Sequence, residues 1–150
     1  MNDRPKQPKL NFPAIRLQGR REGDRTLVWD PRRAMWLVLT PEEWVRQHLV
    51  AYLISHCGVQ PERLVMEYPV EVNGQPQRAD VVVVDGALKP LLVAECKAPD
   101  VTIDEQTLSQ AVRYNATLGA RYLLLTNGLR HYCYEQTDGT YRPLAAFPKL

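Results

Sequence analysis

The chain has 150 residues, of which 45% are hydrophobic and 24% are charged, and its formal net charge is +2. These values are typical of one soluble globular domain with its own core. No apolar run is long enough to span a membrane, and the polar, proline-containing N-terminus lacks the pattern of a signal peptide. We therefore expect a cytoplasmic protein with no membrane partner.

The positive charge is concentrated near the N-terminus. Residues 1–33 hold nine Lys and Arg against four Asp and Glu, a net charge of +5, whereas residues 34–150 hold ten against thirteen, a net charge of −3. We expect residues 1–23 to form a basic, partly mobile arm and residues 24–150 to form the folded domain. Such an arm suits contact with phosphates, although a solvated tail has the same composition.

The first elements are short strands. Residues 15–18 and 26–29 are candidate strands around a polar turn, residues 20–24. The apolar run 35–39 is expected to pack on the flank of the domain.

A helix is predicted from Pro41 to about Cys57. Thr40 is a suitable N-cap, Pro41 suits the first helical position, and Glu43 lies three residues after the cap, as in a capping box. Gly58 ends the helix. Its candidate inward positions are Trp44, Leu49, Tyr52, Leu53 and His56.

A hairpin follows this helix. Residues 64–72 are a strand with an irregularity at Pro69, and they lead into the valine-rich strand 78–84. The pair Asn73-Gly74 between them is a strong turn signal.

Three charged side chains meet in the next hairpin. The run 91–97 follows the strand 78–84 after a short connection, so antiparallel pairing brings Asp80 to the level of Glu95 and Lys97. Glu95 and Lys97 point to the same side because side chains alternate along a strand. Mg²⁺ prefers carboxylate oxygens, and a lysine beside it can orient a water or balance the charge of a phosphate. A structural ion pair would gather the same residues, so the residues alone leave both interpretations open.

The C-terminal part predicts a helix and a last hairpin. The helix covers residues 102–118, where Thr102 and Glu105 have capping-box spacing, and the hairpin turns at Asn127-Gly128. A polar stripe on this helix consists of Gln106, Gln110, Arg113 and Tyr114. Such a stripe is either the solvated face of a helix or the lining of a site.

The cysteines and histidines do not predict a metal centre. The cysteines lack the spacing of a zinc site or a disulfide framework, so we interpret them as small buried side chains: Cys57, Cys96 and Cys133. His48 and His131 have no ligand partners at a useful spacing.

The ordered motifs resemble a known nuclease superfamily. Asp80, fourteen further residues and then Glu95-Cys96-Lys97 are similar to the PD-(D/E)XK signature of the restriction-endonuclease-like superfamily, with Ala79 where the signature has proline. The resemblance extends to the nuclease domain at the N-terminus of type I restriction enzyme motor subunits. It covers about residues 24 to 136, and its segments are 40–46, 78–80, 95–99, 110–114 and 126–128.

The resemblance implies both a fold and an activity. The fold is α/β, a restriction-endonuclease-like mixed central sheet flanked by helices in a single domain. The activity is Mg²⁺-dependent, endonuclease-like hydrolysis of DNA phosphodiester bonds, with Mn²⁺ as a substitute. Asp80, Glu95 and the backbone carbonyl of Cys96 would hold the metal. Asp80, Glu95 and Lys97 would be the catalytic residues, and Lys97 would position the attacking water.

Four further residues are candidates for the site. Glu43 matches the acidic helix residue that the resembling enzymes place near the metal, although the capping box competes for it. Glu67 could add a carboxylate, or it could be a surface residue of an edge strand. Gln110 and Tyr114 match side chains that line the site in the resembling family.

Two functions stay open. The first is a DNA endonuclease, and the alternative is a catalytically silent nuclease-fold module for nucleic-acid binding or protein assembly. The resembling enzymes carry a helicase motor and a DNA-reading domain on the same polypeptide. We therefore expect DNA and a separate motor or specificity protein as partners, and a homo-oligomer is compatible with the sequence.

Overall fold

A computed structural model describes residues 7–150, so the first six residues of the predicted basic arm lie outside the described part. The elements are β1 (Gly19–Glu22), β2 (Arg25–Asp30), β3 (Met35–Val38), α1 (Pro41–His56), β4 (Leu64–Val72), β5 (Gln75–Val84), β6 (Pro90–Cys96), α2 (Glu105–Leu118), β7 (Tyr122–Thr126), β8 (His131–Thr137) and β9 (Thr140–Leu144). A 3₁₀ turn, Pro61–Arg63, precedes β4. Within the described residues, neither α-helix is long and apolar enough to cross a membrane.

The strands form two sheets. β1, β2 and β3 make an antiparallel sheet, and β4 to β9 make a six-stranded sheet in chain order. Neighbours in the larger sheet are antiparallel except β6 and β7, which pair in parallel because α2 crosses over between them. This topology confirms the predicted α/β fold with a mixed central sheet.

The larger sheet buries both faces. Val81, Leu92 and Ala94 belong to the core that contains α1, whereas Val82 and Val93 belong to the core that contains α2. Neighbouring residues of β5 and β6 thus enter opposite cores, as strand alternation requires. The predicted flanking of the sheet by helices is therefore confirmed. The three cysteines are free buried thiols in the core on the α1 side: Cys57, Cys96 and Cys133.

The start of α1 agrees with its sequence signals in part. Thr40 Oγ1 accepts a hydrogen bond from the Glu43 backbone N–H at 3.0 Å, and Pro41 is the first helical residue. The reciprocal half of the capping box is wrong, because the Thr40 N–H donates to the Val38 carbonyl at 3.0 Å. Of the predicted inward positions, His56 is wrong because its side chain is exposed. Leu49 and Leu53 are fully buried, and Trp44 and Tyr52 are half-buried.

The start of α2 differs from the prediction. Asp104 is the N-cap, and its Oδ1 accepts from the Thr107 backbone N–H at 3.0 Å. The predicted capping box between Thr102 and Glu105 is therefore wrong, and Glu105 is the first helical residue. An aspartate closer to the apolar run provides the same cap, so the helix starts later.

The β4–β5 hairpin has the predicted turn but a different irregularity. Asn73 and Gly74 both have positive φ, 51° and 76°, as a two-residue type I′ turn requires. Pro69 pairs regularly with Arg78, so the irregularity predicted there is wrong. It lies instead at Glu67, whose φ of 55° interrupts the pairing between the flanking residues.

The described part of the N-terminal arm is in contact with the domain. Leu10 is 5% exposed, and the Asn11 N–H donates to the Gly128 carbonyl at 2.7 Å. The first strand lies at Gly19–Glu22 rather than at residues 15–18, because the turn is confined to residues 23–24, where Gly23 has a positive φ, and does not cover the whole predicted turn 20–24. The β1–β2 hairpin therefore spans the domain boundary predicted at residue 23, and that boundary stays a prediction.

Candidate active site

Asp80 and Glu95 come together where the ladder between β5 and β6 ends. The last regular pair is Val81 with Ala94, so the next residues along the two strands are Asp80 and Glu95. At this level the two carboxyl groups accept hydrogen bonds from backbone N–H groups of the opposite strand. Asp80 Oδ2 accepts from the Cys96 backbone N–H at 2.7 Å, and Glu95 Oε1 accepts from the Asp80 backbone N–H at 3.4 Å. Each carboxyl group is thus fixed by the backbone of the opposite strand.

The two carboxyl groups share a buried environment. Glu95 is 4% exposed, and burial, followed by the charge of Asp80, raises its pKa to about 9. Burial also raises the pKa of Asp80, although the Cys96 N–H and the charge of Arg46 favour its ionised form. At neutral pH the pair therefore holds one proton.

Lys97 is placed beside this pair. Its backbone N–H donates to the Thr126 carbonyl at 2.9 Å, which fixes the end of β6 against β7. Its side chain is half-buried, and its charge opposes the rise in the pKa of both Asp80 and Glu95. The structure therefore brings Asp80 and Glu95 together as the hairpin predicts, and the charge of Lys97 acts on both.

Glu43 belongs to a different cluster. It is 5% exposed, and its carboxylate accepts from Arg33 at 3.1 Å and from Arg46 at 2.6 Å. Gln47 also donates to it at 3.2 Å. Burial works against the ionised form, but the hydrogen bonds and charges of the two arginines outweigh it, so the pKa of Glu43 is lowered. Its carboxylate is thus ionised and already has a full set of partners.

Arg46 connects the two groups of acids. Its guanidinium binds Glu43 through two nitrogens, Nε at 3.2 Å and Nη2 at 2.6 Å, and is also attracted by Asp80. Burial alone would lower the pKa of Arg46. The hydrogen bonds and charge of Glu43, together with the charge of Asp80, outweigh burial, so the pKa of Arg46 is raised. The sequence prediction missed Arg46, although its spacing of three residues from Glu43 on a helix was a signal for an ion pair.

Glu67 lies at the edge of the same arginine cluster. Its side chain is 44% exposed, and its Oε2 is 3.8 Å from Arg33 Nη1. The register places it opposite Asp80, but its positive φ turns the backbone there. Within residues 7–150, the ion pair of Glu67 is with Arg33. Glu67 does not join the carboxyl pair as a third acid.

Gln110 and Tyr114 contact each other on α2. Gln110 Nε2 donates to Tyr114 Oη at 2.9 Å, and Tyr114 is 5% exposed in the core on the α2 side. Within residues 7–150, neither side chain forms a hydrogen bond with Asp80, Glu95 or Lys97. The structure therefore places these two candidates together but not in contact with the carboxyl pair.

The histidines bind groups within the protein. His48 Nδ1 is 2.8 Å from the Trp44 carbonyl, and His131 Nδ1 is 2.7 Å from Thr126 Oγ1. Burial lowers the pKa of both imidazoles, so both are neutral at pH 7. His48 thus binds the backbone of α1, and His131 joins the start of β8 to the end of β7.

The oxygen donors at the hairpin suit a small divalent cation. In the described part of the chain, no group of three or more His, Cys, Asp or Glu side chains gathers at one point. The side-chain oxygens that the hairpin brings together are therefore the two carboxyl groups of Asp80 and Glu95. Mg²⁺ commonly takes one or two protein carboxylates and keeps several waters, so this set fits it.

Residues 41–148 match the profile of the family described as type I restriction enzyme R protein N terminus (HSDR_N). The fold is similar to a fragment described as an HsdR subunit of a type I restriction enzyme from Vibrio vulnificus YJ016, with a TM-score of 0.57 and 23% identity. This similarity covers 74% of this chain and 24% of that one, so the chain spans a minor part of the compared protein. No curated protein sequence matches the chain significantly.

The family match extends over most of the chain. It includes α1, the hairpin that carries the carboxyl pair, and α2. The resemblance predicted from the ordered motifs is thus confirmed at the level of the family. The chain belongs to the family of type I restriction enzyme R protein N-terminal domains.

Proposed function

We propose that this domain is a Mg²⁺-dependent DNA endonuclease whose active site is formed by Asp80, Glu95 and Lys97. The observation that carries the proposal is the pair of buried carboxyls on neighbouring strands, each fixed by a backbone N–H of the other strand. Two like charges at one buried point are stable only with a proton or a cation between them. Membership of a restriction enzyme family supports the same activity.

Asp80, Glu95 and the Cys96 carbonyl would hold the ion, with Mn²⁺ as a substitute for Mg²⁺. When bound, the ion supplies Lewis-acid stabilisation of the negative charge that develops on the phosphate and on the leaving 3′ oxygen. Glu95 must lose its proton to act as a ligand. The fixed hydrogen bonds of both carboxyls keep their oxygens in place, so little reorganisation is needed.

Lys97 has the second role. Its charge already acts on both carboxyls, so its ammonium group lies within electrostatic reach of the proposed reaction centre. A compact charge with three rotatable donors can orient an attacking water and balance the charge of the phosphate. Arg46 favours the ionised form of Asp80 while it remains bound to Glu43.

Cleavage of supercoiled plasmid DNA in Mg²⁺ tests this proposal. Asp80→Asn and Lys97→Ala should each lower the rate by at least about 100-fold. Lys89→Ala is the matched control, because Lys89 is an exposed lysine in the β5–β6 connection, and it should keep the wild-type rate. Unchanged cleavage by either active-site variant would refute the assignment.

A silent nuclease-fold module is the second candidate. It is favoured by the mutual hydrogen bonding of Asp80 and Glu95 with the backbone, which satisfies the pair without an ion. Calorimetric titration with Mn²⁺ separates the two. Binding that is lost in Asp80→Asn supports the nuclease, whereas DNA binding without metal binding supports the module. With either function we propose DNA and a separate motor or specificity protein as partners, on the basis of the family.

A further inference from the structure

A cleft of about 480 Å³ lies on the side of α1 that faces the smaller sheet. Its lining comes from the segment before β1, from the end of β2 and the turn after it, and from α1. The polar and aromatic residues that matter for binding are Arg16, Gln18, Trp29, Arg32 and Gln47. None of the three proposed catalytic residues lines it, so it is a separate feature of the surface.

The cleft carries the positive charge of two arginines, of which only Arg32 is partly offset, by the nearby carboxylate of Asp30. Arg16 and Arg32 both line it, and no carboxylate does. Within residues 7–150, neither guanidinium forms a salt bridge with a carboxylate, whereas Arg33 and Arg46 are both bound to Glu43. An unpaired guanidinium in a concave surface is a binding group for phosphate, because its planar donors match phosphate oxygens.

The cleft also offers an aromatic surface and an amide. Trp29 is half-buried, and its indole makes an edge contact with the indole of Trp36, with ring centroids 5.6 Å apart. Gln47 Nε2 donates to Asp30 and Glu43, which leaves its side-chain oxygen as an acceptor that is not sealed from solvent. The indole is therefore fixed in orientation, and the amide oxygen is available to a ligand.

We propose that this cleft binds one nucleotide of a single DNA strand. Arg16 and Arg32 hold the phosphate, Trp29 stacks on the base, and Gln47 accepts a hydrogen bond from the base or sugar. Cationic side chains combined with an aromatic face are the usual means of binding single strands, and a pocket of this volume admits a nucleotide but not a duplex. The choice of nucleic acid as the ligand class rests on the proposed function.

The position of the cleft relates it to the carboxyl pair. Gln47 lines the cleft and binds Glu43, Glu43 binds Arg46, and Arg46 is attracted by Asp80. The cleft and the proposed cleavage site are thus linked through one helix.

Binding of fluorescein-labelled dT12 in EDTA tests the cleft without any cleavage. The double variant Arg16→Ala/Arg32→Ala should raise the Kd at least about tenfold and reduce the salt dependence of binding. Trp29→Leu should raise the Kd at least about fivefold, and dT12 should quench the tryptophan fluorescence of the wild type. The matched control is Arg121→Ala/Arg142→Ala, which removes the same charge from the two arginines that bind Glu135, one just before β7 and one in β9, and should leave the Kd unchanged.

The possible outcomes are distinct. Equal loss of binding in both double variants would show general charge attraction and would overturn the assignment of the cleft as the binding site. An unchanged Kd in Arg16→Ala/Arg32→Ala, with a native circular dichroism spectrum, would overturn it as well. Binding of dTMP as tight as that of dT12, or tighter binding of a duplex, would overturn the assignment to a strand. Absence of cleavage in Mg²⁺ together with cleft-dependent dT12 binding would refute only the proposed nuclease.

Discussion

Replacing Glu95 by Gln should change how the stability of the metal-free protein depends on pH. Burial, followed by the charge of Asp80, raises the pKa of Glu95 from 4.5 to about 9. In the unfolded chain this carboxyl is ionised above the lower value, whereas the folded protein keeps it protonated up to the higher one. The stabilisation that the proton provides is complete below the unfolded pKa and is lost as the pH rises through the folded pKa.

The size of the effect follows from one proton taken up on folding between pH 6 and pH 8. Through this group, the free energy of unfolding falls by roughly 1 kcal/mol per pH unit, or by up to about 3 kcal/mol over the two units. The Glu95→Gln variant takes up no such proton. Its amide can still accept from the Asp80 N–H and donate to the Asp80 carboxylate. The stability of the variant relative to wild type should therefore increase by up to about 3 kcal/mol from pH 6 to pH 8.

Urea unfolding followed by circular dichroism in EDTA at pH 6, 7 and 8 measures this difference. His48 and His131 titrate in the same way in both proteins, so their contributions cancel. Glu135→Gln is the control, because the hydrogen bond and charge of Arg121 lower the pKa of Glu135, so it stays ionised throughout this range. Its difference from wild type should not change with pH. A difference that is equally flat for Glu95→Gln would show that Glu95 is ionised in the folded protein, and the shared proton would be refuted.

Three further changes test the fold around the site by urea unfolding at pH 7. Glu43→Gln leaves the largely buried guanidinium of Arg46 without its acid, while Arg33 keeps Asp30, and should cost about 3 kcal/mol; a cost below about 1 kcal/mol would show that the cluster is not structural. Thr40→Ala removes the N-cap of α1 and should cost about 1 kcal/mol, and no loss would mean that another group caps the helix. Gly128→Ala should cost about 1–3 kcal/mol, because φ is +85° and the added Cβ would lie 2.7 Å from Leu10 Cδ2. Unaltered stability there would show that the N-terminal segment is not packed on the loop.

Local signals predicted most of the fold. Thr40 and Pro41 place the start of α1, and Asn73-Gly74 places the turn of the β4–β5 hairpin, because each residue has a specific backbone preference there. The hairpin at Asn127-Gly128 forms as predicted, but β8 starts only at His131 because Asn127 Oδ1 accepts from the backbone N–H groups of the two residues after the glycine. Such side-chain competition with the ladder shifts a strand boundary without changing its partner.

The site was predictable where it depended on register. The valine run of β5 and the short connection to β6 fix the pairing, and the pairing fixes Asp80 beside Glu95. Contacts between residues distant in sequence were not predictable. Arg33 lies in the turn between β2 and β3, ten positions before Glu43, and only the packing of the smaller sheet on α1 brings the two together.

The two groups of acids near α1 differ in how the fold neutralises them. Glu43 receives the guanidinia of Arg33 and Arg46, so it is complete without a ligand. Asp80 and Glu95 have no equivalent partner, because Arg46 is already bound to Glu43, and the pair keeps a proton instead. A cation at 100 times its dissociation constant would stabilise the fold by about 2.7 kcal/mol, which is comparable with the pH effect of that proton. An Mg²⁺-dependent rise in stability at pH 8 that is present in wild type and absent in Glu95→Gln would therefore assign the ion to this pair, and an equal rise in both would place it elsewhere.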